Sequence, residues 1–446
     1  MSVVSAGRNE MTAEIAVLNR NAVALAADSA VTLQGPEGPK IYNTNKLFAL
    51  SKYYPLGIMV YGSAEFMGVP WETVIKLYRS KLGSRGFSGL EQYANDFFDF
   101  VERNRALFPP ESQRRATRQL ARSWVWRLIG RWRNEVGQRL QSRPRISERS
   151  AKSIFREIVA DDIKHLRGQK NVPRFSRTGP ASLLRRHGKV IRDAIVEELE
   201  DLRGVVPMNQ LQIGCALAIV KDLYWHGESG VVIAGFGNSD VFPSLRCYMM
   251  DSIIGGRLRI LEDEGRRARI TTSGVTASVI AFAQSEMVAL FMEGIDRDYR
   301  DFVQSFLSAS LFDGYPSMLE KILTKLVTPR SKGRVLGRLR AAAKRLASQW
   351  DAAMIKYSRE RHTDPIVDIV AQLPKEELAA MAEALVNLTS FKRHVTRQAE
   401  TVGGPIDVAV ISRGDGFIWI KRKHYFRPEL NPQFPANYFR DSQTRT

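Results

Sequence analysis

The stretch Met11–Gly62 reads MTAEIAVLNRNAVALAADSAVTLQGPEGPKIYNTNKLFALSKYYPLGIMVYG. Its first two apolar runs, Ala13 to Leu18 and Ala22 to Ala27, are short, β-competent and separated by the polar residues Asn19 to Asn21, which is the pattern of a hairpin. Thr12 stands at the head of the first run and Asp28 closes the second. After a Gly/Pro-rich loop (Gly35, Pro36, Gly38, Pro39) a third β-like segment opens at Lys46, and Pro55 to Gly62 reads as a buried strand. One hydroxyl, one carboxylate and one cation are thus placed at strand ends.

Beyond Gly62 the periodicity changes. Phe66, Val69, Val74, Ile75 and Leu77 follow helical spacing, and a second helix carries Leu90, Tyr93, Phe97, Phe98 and Val101 before Pro109 and Pro110 break the pattern. From Gln113 to Arg149 arginine dominates, with only Glu135 and Glu148 as acids. Leu120, Trp124, Leu128 and Trp132 recur every fourth position there, so one face of this basic helix can dock on protein while the other carries guanidinium groups. Helical segments follow at Ala151–Leu166 and Leu183–Leu202. Strand character returns at Gly230 to Phe236, Ser244 to Asp251 and Ala268 to Ser273, and helical spacing resumes from Gln284 to Met292. Residues 299–373 form a second basic insert with the run Arg330–Arg345, followed by a helix from Lys375 to Gln398. The chain closes on a hairpin, Ile406 to Ser412 and Phe417 to Lys421, joined by an Asp-Gly turn. Strands flanking two blocks of helices give an α+β class and permit a four-layer αββα sandwich with added helical insertions.

At 446 residues and 44% hydrophobic content the chain can bury a sizeable core. Lys and Arg total 66 against 47 for Asp and Glu, a formal charge of +19, so the surface attracts acidic partners or polyanions. Two cysteines, Cys215 and Cys247, are too few for a disulfide framework, and together with the lack of a signal-like leader they predict a cytoplasmic protein. No run approaches the ~18 apolar residues of a membrane span, so no membrane partner is expected. The six histidines lack metal spacing and the paired glycines are too sparse for a phosphate loop, so neither metal nor organic cofactor is expected. The Arg-rich helix reads first as a solvated or partner-docking face and only second as a nucleic-acid reader.

A threonine hydroxyl is a poor nucleophile until a base takes its proton. The free α-amine of the same residue, with a pKa of ~8, is one such base. Thr12 would have to be N-terminal. Met11 precedes it, so either translation from Met11 followed by Met removal, or loss of residues 1–11 as a propeptide by attack on the preceding carbonyl, would expose it.

An N-terminal Thr, a hairpin ending in Ala-Ala-Asp and a Lys opening the next strand together resemble the proteasome β-subunit family, in a bacterial-type form with large basic helical inserts. The resemblance implies the αββα sandwich of N-terminal nucleophile hydrolases. It carries Thr12 onto the nucleophile, Asp28 and Lys46 onto the supporting acid and lysine, and Gly62 onto the oxyanion-hole glycine. Where the family places an Asp and a Ser before paired glycines, this chain has Glu400 and Thr401 before Gly403 and Gly404; for a further family serine, Ser278 and Ser285 compete. Val31 and Val60 fall where the family lines its first substrate pocket. The implied organisation is 1–11 as propeptide or mis-assigned start, 12–104, 207–298 and 374–425 as sandwich, 105–206 and 299–373 as basic inserts, and 426–446 as tail.

The expected activity is a threonine-type, autoprocessing peptidase or amidohydrolase acting on peptide or protein substrates. Further copies of the chain, assembled as a homo-oligomer such as a ring, are expected partners, with an ATP-dependent unfoldase or an acidic protein as others. The alternative is a catalytically silent scaffold of the same shape whose basic inserts bind nucleic acid or an acidic protein.

Overall fold

The computed structural model describes residues 13–35, 38–142, 145–176, 178–199, 202–221, 228–326, 329–396, 403–423, 426–433 and 436. Strand β1 (Glu14–Asn19) and β2 (Ala22–Ala27) form the opening hairpin, and every residue in both is buried. Such burial on both faces matches runs that are mostly apolar rather than alternating, with Glu14 and Asn19 as the polar exceptions in β1. The turn between them is fixed by Asn19, whose Oδ1 accepts the Asn21 N–H at 2.8 Å.

The expected Gly/Pro loop is instead a second hairpin, β3 (Ala30–Gly35) with β4 (Gly38–Asn43). Gly35 and Gly38 pair across its tip and Pro39 lies opposite Gln34. Val31 pairs with Tyr42, Thr32 with Ile41 and Leu33 with Lys40; β-branched and aromatic residue types favour such pairing. Strand β5 is short (Leu47–Ala49), so Lys46 lies one residue before it. Strand β6 (Leu56–Gly62) and the small pair β7 (Glu65–Phe66) and β8 (Val69–Pro70) lead into α1 (Trp71–Leu82) and α2 (Leu90–Arg103).

Four helices follow, α3 (Pro110–Ser142), α4 (Glu148–Gly168), α5 (Pro180–Leu199) and α6 (Met208–Lys221). Then come β9 (Ser229–Gly235), β10 (Ser244–Ile254), β11 (Arg257–Glu262), β12 (Ala268–Arg269) and β13 (Ala277–Ala281). The strand expected over Ala268–Ser273 is thus cut to two residues. The stronger one lies later, at β13, where it completes the sheet edge beside β1. Helices α7 (Glu286–Glu293), α8 (Arg297–Leu307), α9 (Tyr315–Leu326), α10 (Pro329–Ser358), α11 (Asp364–Val370) and α12 (Lys375–Val395) precede the closing hairpin β14 (Asp407–Ser412) and β15 (Gly416–Lys421).

Among the described residues two large antiparallel sheets form, in addition to the β3–β4 and β7–β8 pairs. One runs β13-β1-β2-β14-β15; the other runs β11-β10-β9-β6-β5, with β12 on β10. A core between them joins Leu18, Leu25 and Ile411 to Met59, Val232 and Leu245. The opposite face of the first sheet, through Ile15, Ala24 and Val408, packs on Leu378, Leu385 and Val386 of α12. The opposite face of the second, through Ile58, Val60 and Ile233, packs on Val74, Ile75 and Phe97 of α1 and α2. Among the described residues no helix is long and apolar enough to cross a membrane.

Helices α3–α6 share a core of their own, with Trp124, Leu128, Phe155, Ile191 and Cys215 fully buried. The every-fourth-residue stripe therefore docks as its spacing predicts, while arginines of the other face stay partly exposed and form ion pairs. Arg118 and Arg122 pair with Glu197 and Glu198, and Arg127 and Arg131 both reach Asp162. Four of the helix's arginines thus meet carboxylates of α4 and α5. Trp124 donates its indole N–H to Asp162 at 2.9 Å, and a side chain at Gly214 would strike its ring at 2.6 Å. Trp124→Ala is accordingly expected to cost about 3–5 kcal/mol, read as a lowered denaturation midpoint.

Where α5 meets the β10–β11 turn, His187 is buried against Gly255, and its Nδ1 has no partner among the described residues. Burial, then the Arg186 and Arg114 charges, hold its pKa below the ordinary 6.5. The folded protein therefore binds this proton less readily than the unfolded chain. Its contribution to stability is complete above pH 6.5 and declines as pH falls below it. A urea-denaturation series from pH 7.5 to 5 is expected to show that decline, flattened in His187→Gln.

Candidate active site

Strand β1 begins one residue after Ala13, and β2 returns to the same level at Ala27, so Asp28 lies beside the head of the chain's first strand. The Asp28 N–H donates to the Ala13 carbonyl at 3.1 Å, and the Ala13 N–H donates to Asp28 Oδ1 at 3.2 Å. Lys46 Nζ donates to that same Oδ1 at 2.6 Å. The Lys46 backbone is held by the next strand, its carbonyl accepting the Val60 N–H at 2.9 Å.

The second Asp28 oxygen is also engaged: the Gly403 N–H donates to Oδ2 at 3.1 Å. Glu14 Oε1 approaches Lys46 Nζ at 3.5 Å, so the ammonium faces two carboxylates. Asp28 and Glu14 are each 1% exposed and Lys46 is 3% exposed. Water screens such charges poorly, and Lys46 is confined between two anions.

Chemically this is a dry cluster with a fixed ammonium at its centre, tied through Asp28 Oδ1 to the backbone N–H of Ala13. An ammonium so placed favours negative charge developing on a neighbouring hydroxyl and disfavours a second proton on a neighbouring amine. Thr12, Glu400 and Thr401 lie outside the described residues.

Gly62 ends β6 opposite Ser229 with φ +79°, a left-handed conformation in which a side chain is strained. A Cβ there would lie 2.7 Å from the Glu228 carbonyl oxygen. Ser278 pairs with Leu18, at the end of β1 remote from Asp28, four strand residues or about 13 Å from Glu14. Ser285 is nearer the site: the Phe282 N–H donates to the Glu14 carbonyl at 3.0 Å, and Ser285 stands just beyond at the N-cap position of α7, with no side-chain cap hydrogen bond. Val60 is packed in the outer core under α1 and α2. Val31 lies in β3 opposite Tyr42.

Glu14, Ser29, Asp407 and Lys423 were not singled out by motif reading. An acid within an apolar strand buried on both faces does signal an obligatory partner, since an unpaired buried charge is costly. Glu14 in AEIAVL and Asp407 in PIDVAVI both carry that signal. Lys423 does not, because it sits in the basic run Lys421-Arg422-Lys423.

No protein-family profile matches the chain, and no curated protein does. Seven chains of solved structures match. Among them is the Anbu (Gly-1) mutant from Hyphomicrobium sp. strain MC1, 9% identical over 97% of each chain with a TM-score of 0.28. A likeness at that score is too slight to bear on fold or function.

Proposed function

We propose that the chain is a threonine-type N-terminal nucleophile hydrolase that cleaves peptide or other amide bonds. One observation carries this above the others: Asp28 Oδ1 is shared between the Ala13 N–H and Lys46 Nζ, which ties the buried ammonium to the backbone one bond from Thr12. Two sheets with a common core and helices on their outer faces are consistent with an αββα sandwich, the scaffold the sequence pattern implies.

In this mechanism residues 1–11 are absent and Thr12 bears a free α-amine. That amine takes the hydroxyl proton as Oγ attacks the substrate carbonyl carbon, giving a tetrahedral oxyanion stabilised by the Gly62 N–H. The C–N bond breaks, the proton passes to the leaving amine, and an ester on Thr12 remains. Water then attacks that ester, returning the proton to Oγ and releasing the acid. Lys46 stabilises the hydroxyl oxygen as it loses its proton, and Asp28 holds Lys46. In this proposal Ser285 is taken as the supporting serine. Assembly with further copies of the chain and a cytoplasmic setting belong to the same proposal.

The experiment is covalent capture. Protein purified from its own cell and treated with a peptidyl β-lactone is expected to gain one acyl group on the peptide that begins at Thr12, seen by mass spectrometry. Thr12→Ala is expected to abolish it. Acylation elsewhere, or equal acylation of the Thr12→Ala protein, contradicts the assignment.

A further inference from the structure

Behind the Asp28–Lys46 pair lies a second one. Lys423, just past β15, donates from Nζ to Asp407 Oδ2 at 2.5 Å, and its backbone N–H donates to Asp407 Oδ1 at 2.8 Å. The same Nζ donates to Ser29 Oγ at 2.7 Å, and Ser29 Oγ donates to the Pro405 carbonyl at 2.5 Å. An ammonium can only donate, so the Ser29 oxygen must accept from it and direct its single proton to Pro405. The order of this chain is fixed: Lys423, Ser29, Pro405.

That order bears on the candidate site through Gly403. The Gly403 carbonyl accepts the N–H groups of Ser29 and Ala30, and its own N–H holds Asp28 Oδ2. Gly404 sits at φ +76°, and a Cβ there would lie 2.6 Å from Asn43 Oδ1, so the turn approaches β4 closely. The turn that supplies one of Asp28's hydrogen bonds is thus anchored on both sides of the 28–29 peptide. Asp407 is 2% exposed. Buried ion pairs add little net stability compared with apolar residues of similar shape, so stability alone gives little reason to keep charges here.

We propose that Lys423, Asp407 and Ser29 are positioning residues: through Ser29 and Pro405 they fix the Gly403 turn, which sets the orientation of Asp28 and hence of Lys46. The kinetic consequence rests on the proposed function; the structural one does not. Two changes test it in the full chain. Ser29→Ala breaks the link and leaves the ion pair. Asp407→Leu with Lys423→Met removes the pair without stranding either charge.

In both, amide hydrogen exchange at Gly403 is expected to rise about tenfold or more, the loss of one charge-assisted hydrogen bond. The rate constant for Thr12 acylation by the peptidyl β-lactone at saturation is expected to fall by a similar factor, about tenfold, with the half-saturating concentration unchanged. The melting temperature of the double variant is expected to stay near that of the parent. Gly403 exchange that stays at the parent level overturns the proposal, as does a rate loss that merely follows melting temperature. If the parent protein is not acylated at all, the hydrolase assignment fails, and Gly403 exchange alone then decides whether the relay fixes the turn.

Discussion

Replacing Lys46 with methionine is expected to abolish Thr12 acylation and to destabilise the protein by about 3–5 kcal/mol, the cost of leaving a buried charge without its partner. The ammonium is 2.6 Å from Asp28 and 3.5 Å from Glu14, and all three side chains are almost wholly removed from water. Without it, two carboxylates face each other across a dry space. Thermal or urea denaturation gives the stability change. Adding Asp28→Asn and Glu14→Gln to Lys46→Met removes both stranded charges and is expected to restore most of the lost stability while restoring no acylation. That separation distinguishes a lysine serving the chemistry from one serving the fold. Recovery of acylation in the triple variant would show that Lys46 has no part in the reaction.

The second large effect is expected at Gly62. Alanine there must adopt φ +79° and place its Cβ 2.7 Å from the backbone oxygen of Glu228. The neighbour is main chain and cannot swing away, so the end of the β6–β9 pairing must open. The left-handed strain alone costs about 1–3 kcal/mol. Displacing the proposed oxyanion donor is expected to lower the acylation rate by about 10²–10³-fold. Gly68 supplies the control: its φ is +82°, yet nothing lies within 4 Å of where a Cβ would stand. Gly68→Ala is expected to show the strain in its denaturation midpoint and to leave acylation unchanged. Equal acylation rates in the two variants would remove Gly62 from the site.

Much of the frame that holds the site was readable because its signals are local. Two six-residue apolar runs around Asn-Arg-Asn can hardly be other than a hairpin, and their full burial explains why neither alternates. The stripe Leu120, Trp124, Leu128, Trp132 predicted a docking face that Trp124 fills. What stayed hidden depended on distant partners. The β3–β4 hairpin was obscured because the residues that close it, Gly35 and Gly38, are the same types that mark an open loop. Strand β13 is only five residues long and draws its stability from β1, some 260 positions earlier. The partners of four arginines of α3, Asp162, Glu197 and Glu198, come from other helices and carry no local signal. Asp28 and Lys46 were visible as strand-end residues, but the sharing of Asp28 Oδ1 between the Ala13 N–H and Lys46 Nζ, and the clamp from Gly403, depend on residues brought together only by the fold. Lys423 shows the limit most plainly: in a basic tail one lysine resembles the next until Asp407 and Ser29 select it.

The central claim is that Thr12 acts as an N-terminal residue. Intact-mass analysis with N-terminal sequencing of the protein from its own cell tests it most directly. The account predicts a chain that begins at Thr12, its mass lower by residues 1–11. A chain that still begins at Met1 or Ser2 would contradict it, because the α-amine that activates the hydroxyl would then be locked in a peptide bond.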